Sequence, residues 1–178
     1  MISFGMSEDQ QLVRDTMREF AAEAIRPLGR DCDEASAIPA DFLQSVWDLG
    51  LTSTQIPAEY GGGGEEGAPV TNAILLEELA HGDAALAMAA VAPSQFANAI
   101  LDHGTDEQKK KYIPGLASGQ LKGCYCLTEP SSGSDANSAK SRAVLSEDGK
   151  HYILNGQKMW ISNAGFCNLF IVFARIED

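Results

Sequence analysis

The stretch Tyr125-Cys126-Leu127-Thr128-Glu129-Pro130-Ser131-Ser132-Gly133-Ser134-Asp135 decides how this chain is read. Strand-forming residues run into a loop that carries Pro and Gly and the hydroxyls of Thr128, Ser131, Ser132 and Ser134. Such a loop can turn its amides and hydroxyls toward an anionic oxygen. From spacing alone, a Ser/Gly/Pro loop more often turns a corner than binds. Around it, residues 121–127 read as a strand, and 139–145 and 151–154 flank the turn Glu147-Asp148-Gly149. Asn155-Gly156 leads to a strand over 157–162, and Asn163-Ala164-Gly165 leads to another over 169–174. In Lys158-Met159-Trp160-Ile161-Ser162-Asn163, strand geometry puts Trp160 and Ser162 on one face, where a flat aromatic beside a hydroxyl suits a planar heteroaromatic ligand. A core Trp next to an ordinary turn serine is the equal alternative. The last apolar strand reaches the end of the chain with no element to cover it.

Upstream of residue 120 the period changes from two to three and four. Ser7 with Gln10 forms a capping box, followed by Val13, Met17, Phe20, Ala21, Ala24 and Ile25 on one helical face until Pro27. A second helix spans about 39–49, with Gly50 as its stop. A loop holding Ile56-Pro57-Ala58-Glu59-Tyr60 and four glycines follows, and Glu65-Glu66 read as its surface. The glycine run is no phosphate loop, because no Lys-Ser/Thr follows it. Further helices are expected over 68–81, 83–92 and 93–103. Thr105 with Gln108 caps one that ends at Pro114-Gly115. Helices followed by strands exclude an alternating βαβ protein.

The chain has 178 residues, 44% hydrophobic and 21% charged, an ordinary globular balance. Residues 1–120 hold 7 Lys+Arg against 19 Asp+Glu, and residues 121–178 hold 6 of each, so the whole net charge of −12 lies in the first part. The seam near 120 is the expected domain boundary, with 1–120 all-helical and 121–178 a partial β-domain. An acidic surface lacks the basic footprint of a nucleic-acid binder. The alanine-rich run 82–101 is broken by Asp83 and Pro93 and is a poor membrane span, so no transmembrane segment is expected. The cysteines Cys32, Cys124, Cys126 and Cys167 form no CxxC pair and read as reduced packing thiols. His81, His103 and His151 have no metal-ligand spacing, so no metal site is expected.

CYCLTEPSSGSD, followed by YILNGQKMWISNAG and the strand NLFIVFAR, resembles the middle-domain signature of the acyl-CoA dehydrogenase family. IPAEYGGGG and LEELAHGDAALA resemble its N-terminal helical domain. The wording TEPSSGSD and WISN looks closest to the very-long-chain branch. The resemblance implies an α+β fold, with an all-α N-terminal domain over 1–120 and the first part of an antiparallel, flavin-binding β-domain over 121–178.

By the same resemblance the cofactor is FAD. Its binding residues are Tyr125, Cys126, Leu127, Thr128, Glu129, Pro130, Ser131, Ser132, Gly133, Ser134, Trp160, Ile161 and Ser162. Thr128 is implied at the flavin N1/O2 edge and Ser162 at N5, where a donor stabilises the reduced ring. Ser134 is implied to contact the acyl-CoA. Gly133 is explained by a short approach of the backbone to the ligand, where a Cβ would crowd the loop. The implied reaction is α,β-dehydrogenation of fatty acyl-CoA in β-oxidation, with electrons passed to an electron-transfer flavoprotein. The family's base is a Glu in a C-terminal helical domain beyond these residues, so no catalytic residue is assigned, and Glu77, Glu78 and Glu129 are excluded from that role. The expectation is therefore a fragment that is inactive alone and that either dimerises through residues 121–178 or leaves that region poorly ordered, within an enzyme that is a homo-oligomer. It is expected to be cytoplasmic in a bacterial setting, or in the mitochondrial matrix if a transit peptide was removed. The rival is a non-catalytic helical interaction module built on the same fold.

Overall fold

The computed structural model describes residues 5–64 and 69–177, apart from the side chains of 93–95. The expected loop surface at Glu65-Glu66 and the helix start at Ala68 lie outside the described residues. Contacts divide the chain into two compact units, Met1–Gln120 and Leu121–Asp178.

The first unit is helical. Helix α1 (Glu8–Phe20) opens on the Ser7/Gln10 capping box and continues into a π-helical turn over Ala21–Ile25. The extra residue of that turn keeps Met17, Ala21 and Ile25 all in the core. A short helix α2 (Gly29–Ala35) was not anticipated. It buries no residue and so leaves no apolar period to read; an exposed Arg30–Glu34 pair runs along it. Helix α3 (Ala40–Asp48) inserts Phe42, Leu43 and Val46 into the core, and Gly50, in the left-handed region, follows its end.

Helix α4 (Pro69–Gly82) packs on α1 and α5, and α5 (Ala84–His103) packs on α6 (Asp106–Ala117). Two boundaries expected at prolines are absent. Helix α5 runs unbroken through Pro93, and α6 passes Pro114 to end at Ala117. Each interior proline forfeits one backbone hydrogen bond, but side chains on either side hold the helix in place. Ala90, Val91, Phe96 and Ala97 are buried around the first, and Ile113 and Leu116 around the second. Burying a large aliphatic side chain such as Leu79, Leu86 or Leu116 is worth roughly 2 kcal/mol, enough to outweigh the lost bond. By length and composition α5 would cross a membrane; here Leu86, Ala87, Ala90 and Val91 belong to the core of the helical unit.

The Thr105/Gln108 box is present as read, with the hydroxyl accepting from the Gln108 amide at 3.2 Å and the Gln108 side chain accepting from the Thr105 amide at 2.8 Å. Thr105→Ala should cost about 1 kcal/mol of helical-unit stability. Urea unfolding followed by far-UV circular dichroism measures it, and an unchanged midpoint would contradict the role of the cap.

The second unit is a small sheet region. Strand β1 (Gly123–Cys126) pairs in parallel with β4 (Leu169–Val172). Strand β2 (Arg142–Leu145) pairs antiparallel with β3 (Tyr152–Asn155) and in parallel with β5 (Arg175–Glu177), in the order β3-β2-β5. The pairing is thus mixed: among the strands of the described residues, β2–β3 is the one antiparallel pair. The final strand is not one continuous run. It leaves β1 after Val172 and re-enters beside β2 at Arg175, whose amide donates to Ser141 O at 2.8 Å. The expected strand over 157–162 is not formed. Trp160 takes a left-handed φ of 59° and stands 84% exposed, so it shares no strand face with Ser162.

Candidate functional site

Two loop segments of the sheet unit converge, and a buried ion pair joins them. Strand β1 delivers the chain into a tight turn in which the Glu129 amide donates to Ser132 O at 2.9 Å and the Ser132 amide to Glu129 O at 3.1 Å. The turn aims the Glu129 carboxylate inward. It accepts from the Lys140 amide at 2.6 Å, the Ser141 amide at 2.9 Å and Lys158 Nζ at 2.8 Å. The Glu129 side chain is 4% exposed and that of Lys158 13%. Lys158 Nζ also donates to Leu127 O at 3.1 Å, and the Met159 amide donates to Thr128 O at 2.9 Å. Hydrogen bonding from Lys158 first, then from Ser141 and Lys140, holds the Glu129 carboxyl well below the usual carboxylate range.

Segment 127–129 is therefore pinned to 158–159 by both backbone and side chain. Gly156 belongs to the same construction: a Cβ there would lie 2.3 Å from Ser141 Oγ and 2.7 Å from Ser141 Cα, so only glycine lets the β3 end pass. Ser132 closes the loop from inside, its hydroxyl donating to Asp135 O at 2.7 Å.

Several of the remaining expected site residues face outward. Pro130, Ser131, Gly133, Ser134 and Ser162 are exposed, as is the Tyr125 ring, which tilts against Phe173 at 4.7 Å between centroids. Leu127, Thr128 and Ile161 are half-buried, and Cys126 is buried. Among the described residues the hydroxyls of Thr128, Ser131, Ser134 and Ser162 bond to no other residue. Together the two segments present a rim of free donors on a backbone held from behind, which fits a polar ligand. Among the described residues a Cβ at Gly133 would meet nothing within 4 Å, so the space in front of it is open.

Glu129 and Lys158 carry the support of the site. The sequence groups Glu129 with the loop without giving it this task, and nothing local in it marks out Lys158 as the partner. An acidic residue three positions past the end of β1 and a lysine two positions before a Trp are the available signal; their pairing over 29 positions is not. The carboxylates set aside as bases are also accounted for. Arg18 grips Glu78 through two bonds, Nε to Oε2 at 2.9 Å and Nη2 to Oε1 at 2.6 Å, while Glu77 is exposed. Of the histidines, His81 accepts from Arg26 through its backbone carbonyl, and His151 stands 3.5 Å from Asp148. Among the described residues no cluster of His, Cys, Asp and Glu has metal-binding geometry.

A helical unit followed by a small sheet unit with this loop pair defines the class, and comparison with known proteins gives the family. Residues 7–120 match the acyl-CoA dehydrogenase N-terminal domain and residues 124–178 its middle domain, so the chain belongs to the acyl-CoA dehydrogenase family. It is 36% identical over 178 residues to the short-chain-specific acyl-CoA dehydrogenase of Clostridium acetobutylicum, covering 99% of this chain and 46% of that relative. The butyryl-CoA dehydrogenase structure from Megasphaera elsdenii superposes with a TM-score of 0.85 at 32% identity, covering 97% of this chain and 45% of the other. An acyl-CoA dehydrogenase from Bacillus anthracis complexed with FAD gives 0.83 at 34% identity, over 99% and 30%. The chain spans less than half the length of each.

Proposed function

We propose that these residues form the flavin-holding part of an FAD-dependent acyl-CoA dehydrogenase that introduces an α,β double bond into fatty acyl-CoA thioesters and passes the electrons to an electron-transfer flavoprotein. The observation that carries this reading is the pinning of segment 127–129 to 158–159 through Glu129 and Lys158, which leaves a rim of unengaged hydroxyls in front. When bound, the flavin supplies the hydride acceptor. The chain's own residues bind and orient. Thr128 would donate toward the N1/O2 edge, Trp160 and Ile161 would contact the ring, Ser162 would donate toward N5, and Ser134 would meet the acyl-CoA. Pre-aimed donors act on developing charge without reorganising.

The base is not among these residues in this reading. Glu78 is gripped by Arg18 through two hydrogen bonds, and the Glu129 carboxyl, held by Lys158 well below its usual range, is a weak proton acceptor. The base comes from the part of the relatives' length that this chain does not span, and the 178 residues alone are inactive. Exposed Tyr152, Ile153, Leu154 and Ile176 on the three-stranded sheet support a homo-oligomer or a covering segment.

The test is the visible spectrum of the full protein containing these residues, before and after acyl-CoA thioesters of increasing chain length. Flavin bands that bleach on addition are expected. The chain length that bleaches fastest ranks the very-long-chain wording of the motif against the short-chain relatives. A protein without flavin would overturn the reading in favour of a non-catalytic helical module.

A further inference from the structure

We propose that Cys167 and Cys124 form a peroxide-sensitive dithiol, an oxidation site at which a disulfide staples the start of β1 to the turn preceding β4. Three of the four cysteines gather in the sheet unit: Cys124 Sγ lies 3.1 Å from Cys167 Sγ and 3.7 Å from Cys126 Sγ. All are free thiols. The inference stands on this cluster and does not depend on the flavin reading.

The backbone around Cys167 is already held in register with β1. The Cys167 amide donates to Asn163 O at 3.0 Å, and the Asn168 and Leu169 amides both donate to Lys122 O, at 2.9 and 3.0 Å. The Lys122 amide returns a bond to Asn168 Oδ1 at 2.8 Å. The two sulfurs already lie 3.1 Å apart, so closing to a bond of about 2.05 Å is a movement of about 1 Å. Cys126 is the poorer partner for Cys124. Residues two apart on one strand have Cα atoms about 6.7 Å apart, at the upper edge of the disulfide range.

The two thiols differ in access. Cys124 is fully buried, whereas Cys167 is half-buried. Burial first, then hydrogen bonding with Cys167 and Cys126, pushes the Cys124 thiol up, so Cys167 is the sulfur that meets an oxidant. The Cys167 thiolate attacks hydrogen peroxide, breaking the O–O bond to give a sulfenic acid and hydroxide, which takes up the thiol's proton to become water. The Cys124 sulfur then attacks the sulfenic sulfur, and its proton leaves with the hydroxyl as a second water. Two thiols and one peroxide thus give one disulfide and two waters.

The experiment treats the full chain with stoichiometric hydrogen peroxide, titrates free thiols, blocks them by alkylation and maps tryptic peptides by tandem mass spectrometry. Free thiols should fall from four to two and return to four with dithiothreitol. Peptide 123–140 should be linked to 159–175, with the bond at Cys124. The Cys126→Ser variant should still lose two thiols and Cys167→Ser should lose none. In urea the preference for this pair should disappear. Four titratable thiols after treatment, Cys167 recovered only as sulfinic or sulfonic acid, or a bond to Cys126 in the unsubstituted chain would each overturn the proposal. The last readouts need no variant to fold.

Discussion

Lys158→Met is expected to lower the thermal midpoint of the sheet unit by roughly 10 °C or more and to strip the protein of flavin. Lys158 supplies the cation for a carboxylate that is 4% exposed, and it also satisfies Leu127 O. Without it Glu129 keeps two backbone donors but no countercharge, and a buried charge without its partner is strongly destabilising. Removing both charges is a different matter. In Glu129→Gln/Lys158→Met the amide oxygen can still accept from Lys140 and Ser141, so the double variant should regain much of the loss, a coupling that distant sites do not show. Amide exchange at Met159, which donates to Thr128 O, reports on the same junction.

The pH dependence has a definite sign. Because the folded Glu129 carboxyl sits below its unfolded value, its stabilisation is fully present above the ordinary carboxylate range near pH ~4. It is lost progressively as the pH falls below that range. Glu129→Gln should therefore show a shallower acid limb in melts run from about pH 7 to about pH 3. Equal destabilisation of the single and double variants, or identical acid limbs, would sink this account of the ion pair.

Gly62→Ala should be the most damaging single-methyl change in the helical unit, on the order of 3 kcal/mol. A Cβ at Gly62 would lie 1.9 Å from Ile56 O and 2.6 Å from Ile56 Cβ, and Ile56 is fully buried. The loop has no slack to relieve this, since the Gly62 amide donates to Pro57 O at 3.2 Å and the Gly64 amide to Ile56 O at 2.9 Å. Gly63 is the control. Among the described residues its added Cβ would find only Ser53 Oγ, at 4.0 Å, and Gly63→Ala should stay within about 0.5 kcal/mol. Urea unfolding separates the two, and equal midpoints would show that the loop yields where it is drawn as packed.

Local chemistry was legible without the structure. Ser7 with Gln10 and Thr105 with Gln108 bond as read, because a capping box is complete within four residues. The α3 span, the turn at Asp148-Gly149 and the strand before the Ser/Gly loop follow from periods and turn residues in the same way. The motif pair pointed to the family, and the family domains match.

What failed depended on partners far along the chain. Pro93 and Pro114 carry strong local stop signals, yet helices continue through both because buried side chains on either side outweigh one absent hydrogen bond. Residues 157–162 alternate like a strand, but Lys158 turns inward to Glu129 and Met159 bonds Thr128, which bends the segment out of any sheet and leaves Trp160 exposed. The glycine run looked like free loop, and only the position of the Ile56 carbonyl separates an indispensable Gly62 from a replaceable Gly63. The sequence by itself determined the caps, the order of helices before strands and the loop chemistry, since each rests on interactions within a few residues. Tertiary structure alone decided the Glu129–Lys158 clip, the split of the last strand into β4 and β5 and the meeting of Cys124 with Cys167. Each joins residues tens of positions apart, and the energy that selects such a pair exists only once both are buried together.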